Sequence, residues 1–432
     1  MDYKRNNTSI QKNMLLIGII LYTSLTALAG KINHAHFPIP PRKDVITSPH
    51  HPLGFDIDSI PSSRRFIHQI GIEVPPAYIF PTHPFLRGTN EQLKPIRYSL
   101  SSHIKYSFRF LPSTYVDRIY GGAYQGIGIA CFDFPKHEQL GTPFALYLFQ
   151  GARITKLTPR LAFNYEWNFG LSFGWKPYDY EYNSYNQIIG SKLNAYLNTG
   201  FYLNWTLSSR FELNTGITLT HFSNGNTKYP NAGLNTTGIK FGLIYNFKKK
   251  QDFFFPSSIP PAFYRHISYD LVLFSSWRKK GVSWEGKQVA SPDTYTVMGF
   301  NFAPMYNLGY KVRIGISLDG IYDGSANVYT TDYFSSTTQS FSKPSLYKQL
   351  ALGTSGRLEY VMPYFTVGIG MGINLIHGGG DLQAFYQILA LKTEITRNTF
   401  VHIGYNLKNF ETPNFLMLGV GIRFHNKYPS CY

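Results

Sequence analysis

From about residue 116 to 425 the chain alternates aromatic and β-branched residues with polar ones, in fourteen segments of ten to sixteen residues broken by turn signals. A period of two puts one apolar and one polar face on each segment, which is the pattern of a half-buried strand and not of a helix. The segments are 117–132, 142–155, 159–174, 193–206, 210–223, 236–247, 264–278, 293–305, 308–321, 347–361, 363–376, 384–396, 399–408 and 414–425. Short links such as 156–158, 207–209, Met362 and Arg397-Asn398 alternate with long ones at 175–192, 224–235, 279–292 and 322–346. That cadence, with an even strand count, predicts an all-β fold: a transmembrane antiparallel β-barrel of about 14 strands over 116–425, both ends in the periplasm. The link from Lys248 to Arg265 is long on the short-turn side, and reads as a seam between two halves of one barrel. Residues 97–110 have strand character, but a fifteenth strand would break the even count, so they are placed before the barrel. No internal repeat is evident.

Composition points the same way. Aromatics make up 17% of the 432 residues and charged residues only 15%, against about a quarter charged in soluble domains. Lys4, Arg5 and Lys12 precede an apolar stretch, Met14 to Leu28, and Ala27-Leu28-Ala29 forms an A-x-A site. Residues 1–29 are therefore expected to be a signal peptide, since the stretch is short against the ~20 residues of a spanning helix. No cysteine follows the site, which argues against a lipoprotein. Residues 30–115 begin rich in Pro, His and Ser and are expected to form an N-terminal periplasmic segment or plug, and 426–432 a C-terminal tail. The histidines at the start of that segment (His34, His36, His50, His51) lack a recurring ligand spacing, so no metal is expected. A disulfide between Cys131, at a strand end, and Cys431, in the C-terminal tail, is open but not expected, and no cofactor is implied. The net charge of +17 suggests an anionic partner, the alternative being that it only keeps the loops solvated. After export the phosphates of lipopolysaccharide are available and nucleic acid is not.

Within Phe211 to Ser223 the odd positions Phe211, Leu213, Ile217 and Leu219 are apolar, and the even positions Glu212, Asn214, Thr218 and Thr220 polar. His221 and Ser223 continue the odd, lipid-facing stripe at the top of an upward strand. Asn235 and Thr237 share the odd face of the next segment. A simple register places Ser223 across from Asn235 and His221 across from Thr237, within side-chain reach. A serine needs an imidazole to take its proton, and the imidazole needs a third group to fix its tautomer. The alternative for such a His-x-Ser is an interfacial polar pair.

The strings HFSN at 221–224 and PNAGLN at 230–235 resemble those of the PagL-type lipid A 3-O-deacylases, also called acyloxyacyl hydrolases. These are small outer-membrane barrels with a His-x-Ser-Asn motif on a membrane-facing strand. The resemblance covers about 117–247. It implies an outer-membrane enzyme acting on lipid A, with His221 as base, Ser223 as nucleophile, and Asn224 with Asn231 as oxyanion donors. Where the family has a glutamate as third residue, Asn235 stands here; it can accept from imidazole but adds no charge. Glu212 has the wrong parity to replace it. The basic residues Arg278, Lys279, Lys280 and Lys287 are expected to hold lipid A phosphates.

Two other motifs carry no chemistry on this reading. Gly170-Leu171-Ser172-Phe173-Gly174 lacks the strand-turn-helix context of a nucleophile elbow, and His377-Gly378-Gly379-Gly380 goes with it. Gly368, Gly370 and Gly372 alternate within a strand, where they make room on one face. The rival readings are a fatty-acid-type barrel transporter or binding protein for hydrophobic ligands, an outer-membrane phospholipase and a catalytically silent barrel. N-terminal sequencing of the mature protein is expected to start at Gly30; retention of residues 1–29 would overturn the export argument.

Overall fold

The computed structural model describes residues 66–428, apart from 113, 135–137, 248–259, 261, 285–286, 331–340, 384 and 410–411. The segment 1–29 expected to be a signal peptide, the histidines of 30–65 and Cys431 lie outside the described residues.

The first sheet contains β1 (Phe66–Glu73), β2 (Pro76–Ile79), β3 (Tyr98–Phe110), β4 (Tyr124–Asp133), β5 (Gly141–Lys156), β6 (Leu161–Trp175), β7 (Asn194–Thr206), β8 (Phe211–Ser223) and β9 (Leu234–Asn246). Strands β3 to β9 pair in sequence, and β1 and β2 together fill the gap between β9 and β3. The ring therefore has eight strand positions. Pro75, which has no N–H, interrupts the eighth: Val74 still donates to the Phe241 carbonyl at 2.9 Å, and pairing resumes at Ala77 opposite Gly238.

The second sheet follows with β10 (His266–Arg278), the loop hairpin β11 (Gly281–Trp284) and β12 (Lys287–Ala290), then β13 (Tyr295–Asn307) and β14 (Val312–Asp323). A two-residue pair, β15 (Tyr329–Thr330) and β16 (Phe341–Ser342), precedes β17 (Leu350–Val361), β18 (Phe365–His377), β19 (Phe385–Glu394), β20 (Thr399–Lys408) and β21 (Thr412–Phe424). Eight of these, β10, β13, β14 and β17 to β21, close into a barrel through β10 and β21.

The transmembrane antiparallel barrel class stands, and all fourteen segments overlap ladder strands. Their number and closure differ from expectation. Two eight-stranded rings replace one ring of fourteen, and the Lys248–Arg265 link joins two barrels instead of halving one. Part of the segment assigned to 30–115 is barrel wall: 66–79 and 98–110 supply the two missing strands. Even parity holds within each ring, so each begins and ends on one side of the sheet.

An eight-stranded ring is just wide enough for side chains to fill it. In the first barrel Lys105 and Lys240 sit between Glu73 and Glu166, with Lys105–Glu73 at 3.0 Å, Lys240–Glu73 at 2.9 Å and Lys240–Glu166 at 3.1 Å, and Lys105 also contacting Glu166. In the second, Asp270 pairs with Arg423 at 2.8 Å and Lys392 at 2.7 Å, and Glu359 with Arg313 at 2.7 Å. The alternating glycines of β18 give room to this filling: Gly368 faces Glu359 and Gly370 faces Arg357. Outside, Ile104, Ile127, Leu146, Ile217, Ile239 and Phe241 on one barrel and Leu273, Ile316, Met371 and Val420 on the other are exposed. A belt of that kind suits hydrocarbon and not water. Among the described residues no helix is long and apolar enough to cross a membrane; the strands do so.

The barrels meet wall to wall. Tyr360, Met362, Phe365 and Leu391 of the second pack with Trp167 and Phe169 of β6, the Trp167 and Phe365 rings edge to face at 5.1 Å. Lys240→Met leaves two buried carboxylates sharing one cation, and is expected to cost roughly 3–5 kcal/mol. The readout is the urea midpoint of the folded, heat-modifiable form; an unchanged midpoint would show that the quartet contributes nothing to stability.

Candidate active site

The parity of β8 governs what its upper end presents. Glu212 and Asn214 are 2% and 1% exposed, inside the ring, while Phe211, Leu213 and Ile217 are exposed on the outer wall. Phe222 points inward and is gripped by Trp175 and Phe132, with ring centroids at 4.9 and 5.0 Å. That anchor turns its neighbours His221 and Ser223 outward.

The register differs from the simple one by two residues. His221, not Ser223, lies opposite Asn235, Leu219 lies opposite Thr237, and Ser223 pairs with Ala195 of β7. The reason is the loop, which folds tightly before β9 starts. Thr227 donates its backbone N–H to the Asn224 carbonyl at 3.3 Å, and Asn224 Nδ2 donates to the Lys228 carbonyl at 2.6 Å. A slip of two leaves every side chain on its own face, so the predicted faces survive while the partners change.

As a result His221 Nδ1 lies 2.7 Å from Asn235 Oδ1. An amide oxygen only accepts, so Nδ1 carries the proton and Nε2 is left as a base. Ser223 stands two residues along the same face, about 6.8 Å away along the strand. Among the described residues its hydroxyl makes no hydrogen bond to His221; such bonds often tighten only with substrate bound. Ser223 is 9% exposed.

Asn224 and Asn231 are brought beside Ser223, though in the resting state they serve each other. The Asn224 N–H donates to Asn231 Oδ1 at 2.9 Å, which aligns the loop and leaves the Asn231 NH2 without a partner among the described residues. The β6–β7 loop supports this arrangement: Gly233 donates to the Ile188 carbonyl at 3.0 Å and Ala232 to the Gln187 carbonyl at 3.4 Å. Gly233 itself was not anticipated. It has φ +74°, and a Cβ there would stand 3.0 Å from His221 Cε1. Its only trace in the sequence is its place in PNAGLN.

Other candidates fall away. Glu212 lies at the opposite end of β8, beside the short turn, bound by Asn204 at 2.6 Å and Asn246 at 3.2 Å. Ser172 is fully buried in the first lumen, donating to the Asn194 carbonyl at 3.1 Å. His377, the last residue of β18 in the other barrel, accepts from the Gly379 N–H at 3.0 Å. A second His-x-Ser, His266 and Ser268, points into the second lumen, and Ser268 accepts from Asn307 at 3.0 Å. Of the four basic loop residues, Arg278 points inward to Asp323 at 3.4 Å and Lys280 is held by Asp381. The Lys287 side chain lies outside the description, leaving Lys279. Among the described residues no group of three or more His, Cys, Asp or Glu could hold a metal ion.

Comparison with known proteins agrees with this geometry. Residues 155–244, which include the whole of β8 and most of β9, match the family model described as lipid A 3-O-deacylase (PagL). Residues 267–426, nearly the whole second barrel, match the acyloxyacyl hydrolase, C-terminal domain. No curated protein matches the chain. Among solved structures, the outer membrane protein Omp33 of Acinetobacter baumannii is 10% identical, with 83% of this chain and 98% of that one covered and a TM-score of 0.16. Salmonella typhi OmpF in complex with daunomycin is 9% identical, with 84% and 99% covered and a TM-score of 0.18. With superpositions that poor, the barrel assignment rests on the closed sheets themselves. The two family matches adjoin in one chain of membrane-spanning barrels: the protein belongs to the PagL-type lipid A 3-O-deacylase family of the bacterial outer membrane.

Proposed function

We propose that the protein is a serine esterase that removes an ester-linked 3-hydroxyacyl chain from lipid A. The observation that carries this reading is the 2.7 Å contact between His221 Nδ1 and Asn235 Oδ1, with Ser223 next along the same outward face. His221 Nε2 takes the proton of Ser223 Oγ as the oxygen attacks the ester carbonyl. The carbonyl oxygen becomes an oxyanion, for which the Asn231 NH2, without a partner among the described residues, can serve as donor. The tetrahedral intermediate collapses to an acyl-serine, and the sugar hydroxyl leaves with the proton from His221. Water, activated by the same imidazole, then releases the fatty acid and restores Ser223.

The position on the outer wall supports a lipid substrate. An ester just below the headgroups reaches the site by lateral diffusion, with no passage through a lumen. The filled interiors of both rings speak against a transporter.

Ser223→Ala and His221→Ala are each expected to abolish deacylation while the barrel assembles normally, and the double substitution to be no worse than either, since the two act as a unit. Asn235→Glu is expected to preserve or raise the rate by stabilising imidazolium; Asn235→Ala costs less than loss of His221. Mass spectrometry of lipid A from expressing cells reads each result, as loss of one hydroxyacyl mass. Full activity in Ser223→Ala would sink the serine mechanism.

Gly233→Ala tests the placement of the ring. The added methyl pushes His221 aside on a strained backbone, and a shift near 1 Å is expected to lower turnover by roughly a hundredfold with the folded band retained. Unchanged turnover would show that the ring does not depend on this packing.

A further inference from the structure

The loop that leaves Ser223 is fastened to both barrels. Asn226 Nδ2 donates to the Asn414 carbonyl at 2.9 Å, and a Cβ at Gly225 would stand 3.5 Å from Leu416 of β21. Lys279, just beyond β10, donates its N–H to the Thr227 carbonyl at 2.9 Å and accepts from the Tyr229 N–H at 3.2 Å. These two bonds form a one-residue parallel bridge between Lys228 and Lys279. Residues paired across such a bridge stand about 4.8 Å apart and project to the same side.

Two lysines, one from each barrel, are thus bridged backbone to backbone with their side chains leaving from adjacent positions. Neither has a carboxylate partner among the described residues. The neighbouring cations do: Arg278 has Asp323, and Lys280 and Lys408 share Asp381. Like charges fixed together repel unless an anion lies between them. Their position relative to the site is also fixed, because the Lys228 carbonyl is held at 2.6 Å by Asn224, the residue after Ser223. The second barrel has no outward His-x-Ser of its own among the described residues, so its contribution here is not a second reaction centre.

We infer that the second barrel completes the substrate site of the first, Lys279 joining Lys228 to clamp a headgroup phosphate of the glycolipid whose acyl ester lies at Ser223. The clamp rests on the deacylase reading above. It makes the phosphate a determinant of which lipid is cleaved, and explains why the loop is tied to a neighbouring barrel. Both lysines act through their charge, since the bridge itself is made by backbone atoms and survives side-chain substitution.

The test uses the full-length protein in mixed micelles with lipid A carrying its phosphates and with dephosphorylated lipid A. With the phosphorylated lipid, Lys228→Gln and Lys279→Gln are each expected to raise KM about fivefold and the double substitution roughly twentyfold, with kcat little changed. With dephosphorylated lipid A the gap between variant and unmutated protein closes. Lys279→Arg retains most of the affinity, and the double variant loses part of the salt dependence. Unchanged KM in the double variant overturns the clamp, and so does an equal defect on both lipids, which would mean that the lysines only shape the loop. If the unmutated protein cleaves neither lipid, the deacylase reading fails separately. Binding of the two lipids to Ser223→Ala protein then decides the clamp: a preference for the phosphorylated form that disappears on adding Lys228→Gln and Lys279→Gln supports it, and equal binding overturns it.

Discussion

Backbone hydrogen bonding in hydrocarbon is the constraint on which everything else depends. An unpaired N–H or C=O in the bilayer costs several kcal/mol, so each run of strands has to close on itself. Here closure happens twice, at eight positions each time. Rings of that size leave no channel, and the polar faces turned inward are neutralised by pairing Lys105 and Lys240 with Glu73 and Glu166, and Asp270 and Glu359 with Arg423, Lys392 and Arg313. With the lumens filled, the surface left for chemistry on a lipid is the outer wall and its upper rim.

The site follows from the same sheet geometry. Phe222 is drawn into the aromatic core of the first barrel, and the pleat then turns the residues on either side of it outward. Pairing between β8 and β9 sets Asn235 against His221, and the loop that follows Ser223 folds around Asn224 and Asn231. Gly233 closes the arrangement by lying flat against the imidazole, where any side chain would intrude. Rigid strands carry the polar pair and a short, internally bonded loop carries the amide donors, a division that limits how far the groups can drift.

The second barrel repeats the architecture, among the described residues without the outward polar pair. Its contacts with the first occur at two levels: aromatic packing of β6 on Phe365 and Met362, and backbone bonds from Lys279 to the site loop. The upper contact draws the second barrel into the region around Ser223, so the barrels are more than neighbours on one chain.

Period-two alternation is local, and the sequence alone therefore determined the strands β4 to β10, β13, β14 and β17 to β21, their inner and outer faces, and the outward placement of His221, Ser223 and Asn235. Closure is not local. Whether β9 meets β10 or returns to β1 depends on pairings between distant segments, which is why one ring of fourteen was expected where there are two of eight. Pro75 hid one strand by splitting it in two, and the argument from even count discarded Tyr98–Phe110. The register of β8 on β9 was set by hydrogen bonds inside the 224–233 loop, which no periodicity reveals; because the slip was even, the faces were right and the partners wrong. The positions of Gly233 against the ring and Lys279 beside Lys228 were decided by the tertiary structure alone, since each depends on segments brought together only when the sheets close and pack.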